Sequence, residues 1–147
     1  EKHSPEEIEE AIVNNCEIIS QVMLYNDHRN YTTGLLTLQA EPTRKLLQSK
    51  GARSAVEALE VIREAVYAFE PVIARSVAQQ WIPATFEIIP KEFSEDDGLV
   101  NSTMKLVRYK IAEFYRDRIE QMYQARDFFN ERNIEAVREL FGFPDTE

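Results

Sequence analysis

Residues 31–38 read YTTGLLTL, a threonine- and aliphatic-rich run of strand character. The preceding residues 18–25 are also mostly apolar and β-favouring, and they end at Asn26-Asp27. The intervening NDHRN (26–30) therefore reads as the loop of a hairpin. Gly34, inside the second strand, predicts a bulge or a close approach by another backbone. Strand character returns at residues 85–89 (TFEII), before Pro90, after some forty residues of helical pattern. Two strands, a helical stretch and a returning strand define the expected class. It is α+β, with a small mixed sheet (hairpin plus returning strand) packed with helices and a helical insertion at about 41–80.

The helices are marked by caps and spacing. Ser4-Pro5-Glu6-Glu7 combines a capping serine, a proline suited to the first helical position and the glutamate of a capping box. Ile8, Ala11 and Ile12 then give a buried stripe, and the helix is expected to run to Asn14 or Asn15. Within 41–80, Leu59, Ile62, Val66, Phe69 and Ile73 share one face, and Pro71 should end or kink that helix near Glu70. SEDDGL (94–99) is a loop by composition. Val107, Ile111, Phe114, Ile119 and Met122 predict one amphipathic helix over about 106–123. Ile134, Val137, Leu140 and Phe141 predict a last short helix, stopped by Gly142 and Pro144. There is no internal repeat or low-complexity tract.

The 147 residues suffice for one domain with a real core, and 44% hydrophobic with 29% charged residues is an ordinary globular composition. A net charge of −9 argues against a primary nucleic-acid binder. No apolar run approaches the roughly 18 residues of a membrane span. A single cysteine, Cys16, rules out an internal disulfide and fits a reducing compartment. The chain opens on EKHSPEEIEE, without Met or signal peptide, and so reads as a piece of a larger protein. Residues 105–118 hold five basic and two acidic side chains, a net of +3. That run would suit an anionic ligand, although a solvated helix face is the simpler reading.

Few residues offer chemistry. The two histidines, His3 and His28, lack partners at metal-ligand spacing, so no metal site is expected. Cys16 has no nearby base and reads as structural. Glu6, Glu7, Glu9 and Glu10 occupy the start of a helix, where negative charge is stabilising. With four glycines the chain has no phosphate-binding glycine loop. NSTMKLVR (101–108) stands out. Ser102 or Thr103 would cap the next helix and put Lys105 in its opening turn, where the helix dipole opposes a cation. Lys105 is then either a surface residue or a long-stemmed cation presented from a tight turn to a site supplied elsewhere.

Two segments together resemble a known family. EKHSPEEIEEAI (1–12), followed by the hairpin ending in YTTGLLTL, resembles the start of the C-terminal domain of AMP-forming acyl-CoA synthetases, the adenylate-forming superfamily. FSEDDGLVNSTMKLVRYKIAEFYRDRIEQMY (93–123) resembles the end of long-chain fatty-acid CoA ligases, where a GLLTPTMKLKR stretch precedes a helix. Their order and spacing fit, the match covers most of the chain, and the helical insertion points to the long-chain branch. Asn101-Ser102 stand where Thr-Pro is common, and Val107 where a basic residue is frequent. Thr103, Lys105 and Arg108 match the pattern.

The resemblance implies a ligase that joins an acid to a thiol in two steps. ATP-dependent adenylation of a fatty acid gives acyl-AMP and pyrophosphate, with Lys105 as the catalytic lysine and Thr103 and Arg108 supporting it on the ATP side. The domain then swings about a hinge and turns its opposite face, with Glu1, Lys2 and His3 at the edge, to the CoA thiol. ATP and Mg2+ would be bound mainly by an N-terminal partner domain outside this chain, together with the hinge and the acyl tunnel. The 147 residues alone would be inactive. The implied location is cytoplasmic, with no transmembrane segment. Peripheral membrane contact through the insertion or the aromatic tail (Phe128, Phe129, Phe141, Phe143) is disfavoured by net acidity, and core packing suits those rings better. The competing class is a stand-alone α+β interaction module without catalysis, docking through its helical insertion.

Overall fold

The computed structural model describes residues 4–144. Strand β1 (Ile19–Tyr25) pairs antiparallel with β2 (Thr33–Leu38), and β2 pairs parallel with β3 (Thr85–Ile88), so the sheet is mixed, in the order β1-β2-β3. The hairpin register brings Leu24 opposite Gly34, and β3 adds Phe86 on the other side of that glycine. The hairpin's irregularity falls between Ile19 and Gln21, in β1. Gly34 itself is regular, and the close approach expected of it is by a side chain. A Cβ there would sit 2.7 Å from two ring carbons of Phe86, far inside contact distance.

Parallel pairing of β2 with β3 requires a crossover, because the chain must return to the same end of the sheet. Residues 40–81 supply it as α2 (Ala40–Lys50), α3 (Ala55–Val66), a 3-10 turn (Tyr67–Phe69), α4 (Glu70–Ile73) and a 3-10 turn (Gln79–Trp81). Ser54 caps α3 by accepting from Glu57 N at 3.1 Å, and Gly51 ends α2 in the left-handed region. The apolar stripe is as expected, since Leu59, Ile62, Val66, Phe69 and Ile73 are all buried. Helix α3 stops at Val66, ahead of Pro71, which sits in the first turn of α4, where a missing N–H costs nothing.

The crossover, α1 (Pro5–Asn14) and α7 (Glu131–Phe141) cover one face of the sheet, packing on Val22, Leu24, Leu36, Phe86 and Ile88. The other face, with Met23 and Leu35, is covered by α5 (Arg108–Phe114), α6 (Arg116–Gln124) and the loop that follows β3. The middle strand β2 is buried along its whole length, and both clusters are apolar. Of the four tail aromatics, Phe128 is buried, Phe141 and Phe143 pack against the core, and Phe129 stays partly exposed.

The single helix expected over 106–123 is two helices. Tyr115 leaves helical geometry at φ −110°, ψ 29° and serves as the junction of α5 and α6. The break rotates Phe114 out to 58% exposure, so the buried stripe runs through Ile111, Ile119 and Met122 without it. The five-residue step from Phe114 to Ile119 was the sign that no single helix could bury both.

Side chains bond to part of each open sheet edge. On β3, Asn133 of α7 is fully buried. Its Oδ1 accepts from Ile88 N at 2.7 Å, and its Nδ2 donates to Phe86 O at 3.0 Å and Phe128 O at 2.7 Å. On β1, Leu24 N donates to Glu9 Oε2 at 2.7 Å, and Leu24 O accepts from Arg108 Nη1 at 3.4 Å. Unpaired strand edges invite edge-to-edge association, and these side chains occupy some of the groups that would template it.

Candidate functional site: the Lys105 turn

The turn that carries Lys105 is built on Asn101. Val100 and Leu106 form an isolated antiparallel bridge, and Asn101 N donates to Lys105 O at 2.9 Å across its mouth. The Asn101 side chain then organises the tip. Its Oδ1 accepts from Thr103 N (3.0 Å), Thr103 Oγ1 (2.8 Å) and Lys105 N (2.9 Å). Met104 closes the turn with φ 67°, a left-handed conformation that a side chain adopts at a cost of about 1–2 kcal/mol. Val107 N donates to Leu99 O at 2.9 Å and fixes the base.

This geometry corrects the capping assignment. Neither Ser102 nor Thr103 caps the following helix. Val107 occupies the N-cap position with no side-chain cap, and α5 begins at Arg108. Lys105 therefore lies three residues ahead of the helix, and the dipole argument against it does not apply. Asn101 competes successfully for the backbone donors that the hydroxyls were expected to take, as asparagine commonly does in turns. Its residue type was the available signal, overlooked because the position reads as a departure from the usual Thr-Pro.

Lys105 is exposed, and its ammonium has no ion-pair partner among the described residues. Thr103 is exposed as well, and its hydroxyl is spent on Asn101. Arg108 is committed inside the domain. Its Nε bonds Glu6 Oε2 at 3.1 Å, its Nη2 pairs with Glu9 Oε1, and its Nη1 reaches Leu24 O. Burial pushes the Glu9 carboxyl up, with the Leu24 N–H and Arg108 pulling against it. Glu6 is lowered, chiefly by a backbone hydrogen bond. The basic run over 105–118 is thus partly consumed inside the fold, because Arg118 is likewise committed, to the buried Glu87 at 2.9 Å.

A groove of about 750 Å³ is lined by Glu6, Glu7, Glu9 and Glu10 of α1 and by Met104, Lys105, Leu106 and Arg108. With four carboxylates against two cations along it, the groove disfavours an anion. Among the described residues no group of three or more His, Cys, Asp or Glu could hold a metal ion. Cys16 is buried and burial raises its pKa, the opposite of an activated thiol. His28 is a surface residue at 96% side-chain exposure. Glu1, Lys2 and His3 lie outside the described residues, and no described helix is long and apolar enough to cross a membrane.

No protein-family model matches the chain. Long-chain-fatty-acid–CoA ligase ACSBG1 of Rattus norvegicus is 32% identical to it over 141 residues, covering 82% of this chain and 20% of that protein. Long-chain-fatty-acid–CoA ligase ACSBG2 of Gallus gallus is 32% identical over 146 residues, covering 81% and 18%. The chain is a homologue of the long-chain fatty-acid–CoA ligases. It spans about a fifth of the length of the curated relatives it matches. The fold has solved counterparts too. The A domain of carboxylic acid reductase from Segniliparus rugosus, in complex with AMP and a co-purified carboxylic acid, matches with a TM-score of 0.65. That match covers 86% of this chain and 19% of that one at 16% identity, and so speaks to the fold of this ligase homologue alone.

Proposed function

We propose that this chain is the C-terminal, mobile domain of an AMP-forming long-chain fatty-acid–CoA ligase, with residues 41–80 as a helical elaboration and Lys105 as the catalytic lysine. The observation that carries the reading is an unpaired, exposed ammonium on a turn pinned by Asn101, within a chain homologous to such ligases. When the fatty-acid carboxylate attacks the α-phosphorus of ATP and pyrophosphate leaves, negative charge crowds around the reacting oxygens. A lysine brought to that point stabilises the charge, and in a dry cleft this is worth several kcal/mol. Thr103 serves by shaping the turn, and Arg108 by anchoring it. Reorientation of the domain then withdraws Lys105 and presents the other face, with Glu1, Lys2 and His3 at its edge, for attack by the CoA thiol.

Mg2+ and most contacts to ATP are assigned in this reading to an N-terminal partner domain, and no step here runs through the metal. The proposed setting is cytoplasmic, with fatty acid, ATP and CoA as substrates. In the intact ligase, Lys105→Ala should cut acyl-dependent pyrophosphate exchange by roughly 10²–10³-fold. Thioester formation from preformed acyl-adenylate should stay within a few-fold. Equal loss in both half-reactions would make Lys105 structural. The 147 residues alone should show no turnover, and robust acyl-CoA synthesis by them would sink the two-domain reading.

A further inference from the structure

We propose that Glu9 is a positioning residue for Lys105, acting through Arg108. The proposal rests on the reading of Lys105 as the adenylation cation. The turn is internally rigid, since Asn101 fixes its tip and the Val107–Leu99 bond its base. Buried Leu99 and Val100 seat the first arm of the turn in the core. The arm that carries Lys105 is tied further by Arg108, three residues on and the first residue of α5. Its guanidinium has three partners, Glu6, Glu9 and Leu24 O. Glu6 is 68% exposed, and a pair of that kind is weak. Leu24 O at 3.4 Å is a long contact. Glu9 is different, since its side chain is only 9% exposed and its second oxygen is locked by Leu24 N at 2.7 Å.

Glu9 therefore joins three elements with one carboxylate. It holds the open edge of β1, it sits on α1, and it grips the arginine that leads α5. The stretch SPEEIE (4–9) and the stretch KLVR (105–108) are nearly a hundred residues apart, and Glu9 with Arg108 is where they touch. A guanidinium's fork resists rotation when two of its nitrogens are held by carboxylates. Loss of the Glu9 charge leaves Arg108 on a solvated partner and a long carbonyl contact. The arm that carries Lys105 then shifts, and a displacement of the order of 1 Å at a reacting centre costs about a hundredfold.

The test uses the intact ligase with Glu9→Gln, Lys105→Ala and the double variant. Glutamine keeps the size and the acceptor for Leu24 N while removing the carboxylate charge that faces Arg108. Glu9→Gln should lower the kcat of acyl-dependent pyrophosphate exchange by about ten- to a hundredfold. KM for ATP and fatty acid should change little, and thioester formation from preformed acyl-adenylate should persist. In the Lys105→Ala background Glu9→Gln should add no further loss, because there is no ammonium left to misplace. A loss as large in that background as in the wild type, or no loss from Glu9→Gln alone, overturns the positioning role. Full pyrophosphate exchange by Lys105→Ala overturns the reading of Lys105, and the positioning role with it. Should Glu9→Gln fail to fold, Arg108→Lys, which keeps the charge without the fork, carries the same comparison.

Discussion

Asn133 gives the sharpest test of how this sheet is finished. Replacement by leucine keeps the branched shape, with bulkier methyl groups, and removes every side-chain polar atom from a fully buried position. Three hydrogen bonds vanish, at 2.7, 3.0 and 2.7 Å. The Ile88 N–H is then buried with no partner, at a cost of about 1–3 kcal/mol, and the carbonyls of Phe86 and Phe128 lose roughly 1 kcal/mol each. Leucine returns about 1–2 kcal/mol by burying apolar area. The net loss expected is about 2–3 kcal/mol, a large share of the roughly 5–15 kcal/mol that holds a domain together. It corresponds to a drop in Tm on the order of 6–10 °C.

Urea unfolding of the chain followed by far-ultraviolet circular dichroism measures this, with Asn130→Ala as the comparison. Asn130 is the cap of the same helix and accepts from Asn133 N at 2.8 Å, so its loss should cost only about 1 kcal/mol. Asn133→Asp adds a sign to the test. An aspartate keeps the acceptor for Ile88 N but turns a carboxylate oxygen toward two carbonyls, which raises its folded-state pKa. Such a group contributes stability below its unfolded value near 4, and the contribution is lost as pH rises through the folded value. The gap between Asn133→Asp and wild type should thus widen from about pH 4 to pH 7. A leucine variant within about 1 kcal/mol of wild type, or an aspartate gap independent of pH, would refute the edge-closing role.

Two further outcomes follow from close packing and burial. Gly34→Ala puts a methyl 2.7 Å from the Phe86 ring, and should cost about 1–3 kcal/mol in urea unfolding, mostly recovered by adding Phe86→Leu. A neutral Gly34→Ala would mean that the ring gives way without penalty. Tyr67 is partly buried and donates to Pro83 O at 2.9 Å, and burial drives its phenol well above the ordinary value of 10.0. The raised group contributes stability that is complete below pH 10.0 and fades as pH rises through the folded value. In a tyrosinate absorbance titration, Tyr67 should ionise last of the six tyrosines, and Tyr67→Phe should abolish that late step. A single titration near pH 10.0 for all six would contradict its burial.

The elements themselves were largely legible. Ser4 caps α1 as its motif says, the hairpin and the returning strand share one sheet, and the stripe from Leu59 to Ile73 is buried. These signals are local, carried by residues three or four apart or by alternation along a strand. What could not be read is what depends on partners far away in the chain. Gly34 signalled a close approach, but that the neighbour is the ring of Phe86 follows only from the parallel register of β2 and β3. Asn133 and Glu9 look like ordinary polar residues of amphipathic helices. Their role comes from meeting strand edges that the sequence does not show to be edges. The split at Tyr115 was missed because a loose apolar period can be threaded through two short helices.

The same distinction changes what Lys105 means energetically. In the first turn of a helix, a lysine would lose some tenths of a kcal/mol against the dipole, and its presence would need a compensating use. On the observed turn that cost is absent, so helix strain is no argument for function. The cost lies one residue earlier, in the left-handed Met104, which is 69% exposed and repaid by no buried packing. The turn accepts this strain, organises three donors on one asparagine oxygen and leaves the Lys105 ammonium without an ion-pair partner among the described residues, which fits the proposed outward role of that lysine. Glycine at position 104 would make the same turn without the left-handed penalty, so the methionine side chain, standing in solvent beside Lys105, is the part of this turn that stability does not explain.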